Sequence, residues 1–158
     1  MGNLVNNMSF SIFAGEITGI AGLIGSGRSE VAKVIMGHTK RNFSGGRIWL
    51  YGREVRYSSP AQAVTDGLGY VSEDRKLDGF FDTLSVTENI GLGWLAKFWR
   101  GRVVAPLNKM RHLAADWERR LSIRRIGADQ AASYLSGGNQ QKVVIAKTLA
   151  QAPKVVIF

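Results

Sequence analysis

The sequence predicts an α/β fold, with a sheet core and a more helical insertion, from three observations. An apolar run, Ile17 to Leu23, feeds a glycine-rich loop that opens a helix. A second loop, of Ser, Gly and Gly, opens another helix near the far end. Between them, short apolar strands alternate with amphipathic helices. The 158 residues, 45% of them hydrophobic, suffice for a core.

Residues 3–13 alternate apolar and polar positions as a strand does, and Ala14-Gly15-Glu16 turns the chain into the run 17–23. The helix that leaves the first loop sets Val31, Val34 and Ile35 on one face and is stopped by Gly37. Glycines bound a short strand between Gly45 and Gly52. Ser59 and Pro60 supply an N-cap and a first helical residue for a helix that ends at Gly67. Leu68 to Val71 reads as a buried strand. From 107 to 123, Met110, Leu113, Ala114, Trp117 and Leu121 form an i, i+3, i+4, i+7 stripe, the mark of an amphipathic helix. A helical pattern over 143–150 and an apolar strand from Lys154 to Phe158 follow. The expected division is a loop-bearing core part over 1–72, a mainly helical part over 73–134, and the second loop, its helix and the final strand over 135–158.

Strand, glycine loop and helix in that order form a phosphate cradle, because glycine frees successive backbone N–H groups to point into a concavity at a helix start. The residues expected to line it are Gly22, Gly25, Ser26, Gly27, Arg28, Ser29 and Glu30. A plain glycine turn is the bland alternative, and the spacing and the serine favour the cradle. A dinucleotide-binding loop would need a third glycine that is missing after Gly27. Arg28 stands where the motif calls for lysine. Arginine keeps the charge but carries a wider planar fork on a longer stem, so nucleotide can bind there while fast hydrolysis is not expected. The second loop, Ser136-Gly137-Gly138, offers a hydroxyl, bare amides and the positive end of a helix dipole, which suit a terminal phosphate.

Leu135-Ser-Gly-Gly-Asn-Gln-Gln-Lys142, Gly69-Tyr-Val-Ser-Glu-Asp-Arg-Lys76, Val86-Thr-Glu-Asn-Ile90 and Ala21-Gly-Leu-Ile-Gly-Ser-Gly-Arg28 together resemble the ATP-binding subunits of ABC transporters, in the branch that imports monosaccharides of the ribose, galactose and xylose type. The resemblance covers essentially the whole chain. It implies a P-loop NTPase core with a helical subdomain, ATP and Mg2+ as cofactors, and a second, C-terminal half of a fused pair of ATPases. The chain is expected to stop before the Walker B aspartate and the glutamate after it, so it assigns no firm catalytic residue, and the isolated piece is expected to hydrolyse ATP weakly or not at all. Head-to-tail closure with a companion half, as in the family, would set Ser136, Gly137, Gly138 and Gln140 against nucleotide held by the companion's loop. Ser29 is the expected magnesium ligand. Glu73, where the family has a glutamine touching metal and water, is a second candidate; a surface turn is its bland reading. Transmembrane permease subunits and, indirectly, a periplasmic sugar-binding protein are the implied partners, at the cytoplasmic face of the inner membrane. Asp78 to Leu84, a loop with the aromatics Phe80 and Phe81, is by resemblance near the groove for a permease helix, or equally is tucked into the helical insertion. A non-hydrolysing, nucleotide-responsive dimerisation module is the alternative function.

The net charge of +9 invites a nucleic-acid reading. Lys97, Arg100, Arg102, Lys109, Arg111, Arg119, Arg120, Arg124 and Arg125 crowd one region with Trp94, Phe98, Trp99 and Trp117. On an amphipathic helix those cations form the solvated face, so no nucleic acid is expected; lipid headgroups or permease loops are the middle reading. With no cysteine, disulfides and thiolate metal sites are excluded. No apolar run approaches the roughly 20 residues of a membrane span, and no signal pattern opens the chain. His38 and His112 do not match the family's switch histidine.

Overall fold

The computed structural model describes residues 5, 7–38, 46–74, 79–98, 105–124, 127 and 130–158. The chain forms two compact units, Met1–Ala63 and Val64–Phe158.

In the first unit, α1 (Arg28–Met36) grows from the glycine loop. It ends in a left-handed Gly37, φ 74°, whose N–H donates to Val34 O while that of His38 reaches Lys33 O. This double closure satisfies carbonyls that a helix end otherwise leaves bare. A side chain at 37 would also press on the backbone of Tyr57, 3.0 Å from its oxygen, so glycine serves both conformation and packing. β1 (Ile48–Leu50) and β2 (Arg53–Val55) form an antiparallel hairpin with Trp49 opposite Glu54. Its two-residue turn, Tyr51-Gly52, has positive φ at both positions, 51° and 75°, as the twist of a tight hairpin requires. The sequence reading stopped the strand at Gly52 and missed β2. α2 (Pro60–Asp66) ends at a left-handed Gly67.

In the second unit, β3 (Leu68–Tyr70) and β4 (Val155–Ile157) pair in parallel, Leu68 with Val155 and Tyr70 with Ile157. A parallel pair needs a long crossover. Here it is made by α3 (Val86–Phe98), α4 (Leu107–Leu121), a 3-10 turn (Ala132–Tyr134) and α5 (Gly137–Leu149). One core unites them: Val71, Phe80, Val86, Ile90, Ala114, Ile123, Ala132, Leu135, Val143, Val144, Ala146 and Ala150, with Leu113, Trp117 and Leu121 of the expected stripe packed against it. The helices of 73–134 therefore share their core with the strand before them and the helix after them. Glycines let α3 approach both neighbours: a Cβ at Gly91 would collide with Met110, and one at Gly93 with the carbonyl of Lys147. α5 docks on β3 through Thr148, whose hydroxyl donates to Tyr70 O at 3.3 Å.

α3 opens with a capping box that the sequence reading did not single out. Ser85 Oγ accepts the Glu88 N–H at 3.2 Å, and Glu88 Oε2 accepts the Ser85 N–H at 2.8 Å. The Ser85 N–H and then its hydroxyl, both donating to Glu88 Oε2, hold the carboxyl below its ordinary range. One turn in, the buried Asn89 accepts the Phe81 N–H at 2.7 Å and donates to Phe81 O, Leu84 O and Ser85 O.

The apolar stretches read as strands ahead of the first loop are different in the structure. Residues 7–13 and 16–23 have no strand ladder, and Ile17 and Leu23 are fully or largely exposed. A strand forms only where a neighbouring strand takes its N–H and C=O groups, and no described strand pairs with these runs. Asn3 and Gly45 lie outside the described residues.

Candidate functional site

The first candidate site is the start of α1. Gly25 and Gly27 both take left-handed φ, 83° and 89°, on either side of Ser26, and Gly27 occupies the N-cap with no side-chain cap bond. The Ser26 N–H closes a turn onto Leu23 O at 3.1 Å. A Cβ at Gly22 would meet Ser26 Oγ at 2.5 Å, so a side chain there would fill the loop. Gly22, Gly25, Ser26 and Arg28 are exposed, Ser29 and Glu30 half-buried and Gly27 buried. The structure thus gathers the predicted loop residues at one helix start, where the first N–H groups lack intrahelical acceptors. Its amide donors and serine hydroxyls suit a phosphate, and the Ser29 hydroxyl is the one oxygen it offers a magnesium ion, whose remaining positions would fall to waters, phosphate oxygens and carboxylates from elsewhere.

The second is the start of α5. Ser136, at the N-cap with ψ 153°, makes no cap bond to the helix, and Ser136, Gly137 and Gly138 are all exposed. A Cβ at Gly138 would meet nothing within 4 Å. Behind this face the loop is tied down. Ala132 N–H donates to Leu84 O at 2.8 Å and Ser133 N–H to Asp82 O at 3.1 Å, while Lys142 Nζ reaches Ser122 O at the end of α4.

Gln140, expected among the nucleotide-facing residues, points the other way. It is 8% exposed, and its Nε2 donates to Ser133 O at 3.1 Å and Leu135 O at 3.0 Å. Those donors hold the turn ahead of the loop. The reason is geometric: three residues on from Gly137, the side chain has already rotated onto the core side of the helix, among Val143 and Val144. Asn139 was missed and lies beside Ser136, donating from Nδ2 to Ser136 Oγ at 3.0 Å and accepting the Arg124 N–H on Oδ1 at 3.0 Å. The signal for it was the spacing from N-cap to third helical residue.

Glu73 is exposed on a bend after β3, next to a buried Ser72 whose Oγ accepts the Asp74 N–H at 3.2 Å. Ser29 and Glu73 belong to different units. No group of three or more His, Asp or Glu side chains comes together among the described residues. Between Asp78 and Leu84 the two aromatics divide: Phe80 enters the core and Phe81 is 52% exposed. Asp78 lies outside the described residues. Lys147 crosses to that loop, with Nζ 2.9 Å from Gly79 O and 5.1 Å from the Phe81 ring centroid. Burial pushes its ammonium below the usual lysine range.

The basic region is built as a solvated face over a packed stripe. Lys109 sits over the Trp94 ring at 4.4 Å and Arg120 over Trp117 at 5.1 Å, while Arg119 and Arg120 pair with Asp116. Trp94 and Trp117 pack on the core, which removes them as base-stacking platforms. Trp99, Arg100, Arg102 and Arg125 lie outside the described residues. Among the described residues no helix is long and apolar enough to cross a membrane.

Two curated relatives are ribose import ATP-binding proteins. That of Halalkalibacterium halodurans is 41% identical over 96% of this chain, and that of Chromobacterium violaceum 42% identical over 99%. The chain spans 30% of the length of each. Among solved structures, a nucleotide-binding cassette of an ABC transporter superposes with a TM-score of 0.77 at 24% identity, covering 97% of this chain and 61% of that one. A dimeric cassette in a post-hydrolysis state, bound to ADP and Pi, gives 0.67 at 23% identity, over 85% of this chain and 56% of that one. The fold is accordingly that of the P-loop cassettes, mixed helix and sheet. The ABC transporter family model matches residues 5–158, and the chain belongs to that family.

Proposed function

We propose that this chain is an ATP-binding and ATPase component of an ABC importer for a monosaccharide, acting through the start of α5 on nucleotide held by a companion half. The observation that carries this reading is the exposed Ser136-Gly137-Gly138 helix start, free of cap bonds and anchored from behind by Gln140, Asn139 and Lys142. A loop so held and so bare presents a hydroxyl, two amides and a helix dipole to an anion with little reorganisation. The names of the relatives support the import of ribose-type sugars, and the dimeric cassette with ADP and Pi supports closure of two halves around nucleotide.

The start of α1 is the second half of the assignment. In this reading Gly22, Gly25, Gly27, Arg28 and Ser29 form a degenerate loop that binds nucleotide in a structural or regulatory way, and the chain is the second half of a fused pair; the arginine in place of lysine supports it. Ser29 would hold Mg2+ there, which would supply charge neutralisation at the phosphates. Arg28 would offer the phosphates a planar, forked guanidinium where a lysine would offer one compact charge. Permease subunits take the force at the cytoplasmic side of the membrane, and a periplasmic sugar-binding protein delivers the solute.

The test is ATP turnover by the assembled transporter. Gly137→Asp sets a carboxylate at the exposed helix start and is expected to abolish turnover, whereas Arg28→Lys leaves it within about twofold. Unchanged turnover in Gly137→Asp refutes the role of α5; a manyfold rise in Arg28→Lys shows that the first loop limits the rate.

A further inference from the structure

The start of α5 assigns donor and acceptor as well as the position of an oxygen. The Arg124 backbone N–H can only donate, and it donates to Asn139 Oδ1 at 3.0 Å. That contact sets which end of the Asn139 amide is oxygen and which is nitrogen. The other end, Nδ2, can only donate as well, and it lies 3.0 Å from Ser136 Oγ. Ser136 Oγ is therefore the acceptor in this pair, and its own hydrogen points elsewhere. Ser136 is exposed and makes no cap bond to α5, so nothing among the described residues draws that hydrogen inward.

We propose that Asn139 is a positioning residue: as a donor to Ser136 Oγ, oriented by the Arg124 main chain, it holds the serine hydroxyl in the donating orientation that a phosphate oxygen requires. The inference rests on the reading of α5 as a nucleotide-contacting start and adds what sets its hydroxyl. The Arg124 N–H belongs to the segment just after the left-handed Ser122 that ends α4. The hydroxyl is thus aimed by the docking of α4 on α5, with Lys142 Nζ on Ser122 O as a second tie between the same two elements. An aspartate at 139 would still accept the Arg124 N–H but would turn a second acceptor on Ser136, and the serine would then donate inward.

The test is steady-state ATPase of the assembled transporter for Ser136→Ala, Asn139→Ala and the double variant, with Asn139→Asp beside them. Removing a preorganised donor costs roughly a hundredfold in kcat, so Ser136→Ala is expected near that value and Asn139→Ala at about tenfold. The double variant is expected to equal Ser136→Ala, because a residue that acts through Ser136 has nothing left to act on. Losses that multiply in the double variant, or wild-type turnover in Asn139→Ala beside a slow Ser136→Ala, overturn the positioning role and leave the site reading intact. Wild-type turnover in Ser136→Ala overturns both. If Asn139→Ala fails to fold, Asn139→Asp decides. Its deficit relative to wild type is expected to shrink as pH falls toward the carboxyl range, where a protonated oxygen again donates to Ser136, and a deficit independent of pH overturns the proposal.

Discussion

Asn89→Ala and Asn89→Asp separate the energetic roles of a buried carboxamide. Asn89 is fully buried and makes four bonds to main chain, accepting from Phe81 N–H and donating to the carbonyls of Phe81, Leu84 and Ser85. The carbonyls keep other donors when the side chain is removed: Leu84 N–H on Phe81 O, Ala132 N–H on Leu84 O and Asn89 N–H on Ser85 O. Only the Phe81 N–H loses its acceptor. Alanine therefore costs one orphaned donor, about 1–3 kcal/mol, plus the net value of the other bonds, for a total of about 2–4 kcal/mol. Aspartate keeps the acceptor for Phe81 N–H but turns its second oxygen toward three carbonyls. Its ionised form is disfavoured in the folded state, so its folded pKa lies above the unfolded value. Stability is then fully present below the unfolded pKa and is lost as pH rises through the folded one. Urea unfolding at several pH values checks this: Asn89→Asp should be the less stable variant near neutrality and should overtake Asn89→Ala in acid. A constant ranking, with Asp above Ala at neutral pH, would refute the bonding pattern.

Gly93→Ala should destabilise by about 1–3 kcal/mol despite the better helix propensity of alanine, because the new Cβ meets the rigid Lys147 carbonyl, with its carbon at 2.9 Å. Gly91→Ala, which meets the Met110 side chain and no main-chain atom among its nearest contacts, should cost less, and chemical denaturation that reverses this order would count against the packing of α3 between its neighbours. Ser85→Ala removes the hydroxyl partner of Glu88 and should cost about 1 kcal/mol. Because the Glu88 carboxyl is held below 4.5, the stability it contributes is present above that value and is lost as pH falls through the lower folded one; Glu88→Gln should flatten that acid limb. Lys147 is held below 10.5 by burial, so the unfolded chain binds more protons in the window beneath that value and wild-type stability should rise with pH there, relative to Lys147→Met. Denaturation midpoints that differ by a constant across the alkaline range would contradict it.

Much of the helical part was legible because burial and period coincide. Met110 and Ala114 of the stripe are buried and Leu113, Trp117 and Leu121 line the same core, so a 3.6-residue pattern located α4 to within two residues. Gly37 and Gly67 ended helices as expected, since both take left-handed φ that other residues resist. Strands were harder. The runs 7–13 and 16–23 have strand-like composition, but a strand is made by its neighbour, which a local pattern does not contain. β2 was hidden because Arg53-Glu54-Val55 buries only Val55. At the second loop, the motif located Ser136 to Gly138, yet which of Asn139 and Gln140 faces outward depended on the rotation of α5 over the core. Motif identity carries no information about that rotation.

α5, a helix of 13 residues, is tied near its far end by the Thr148 hydroxyl on Tyr70 O and begins at the bare Ser136 loop. Its rise makes it a rod about 20 Å long, so a tilt of about 5° at the anchored end sweeps the loop through about 1.7 Å. An error of about 1 Å already upsets the alignment of reacting groups. The lean of a single rod against its strand can therefore set whether its tip meets a ligand, with no side chain at the tip changing shape.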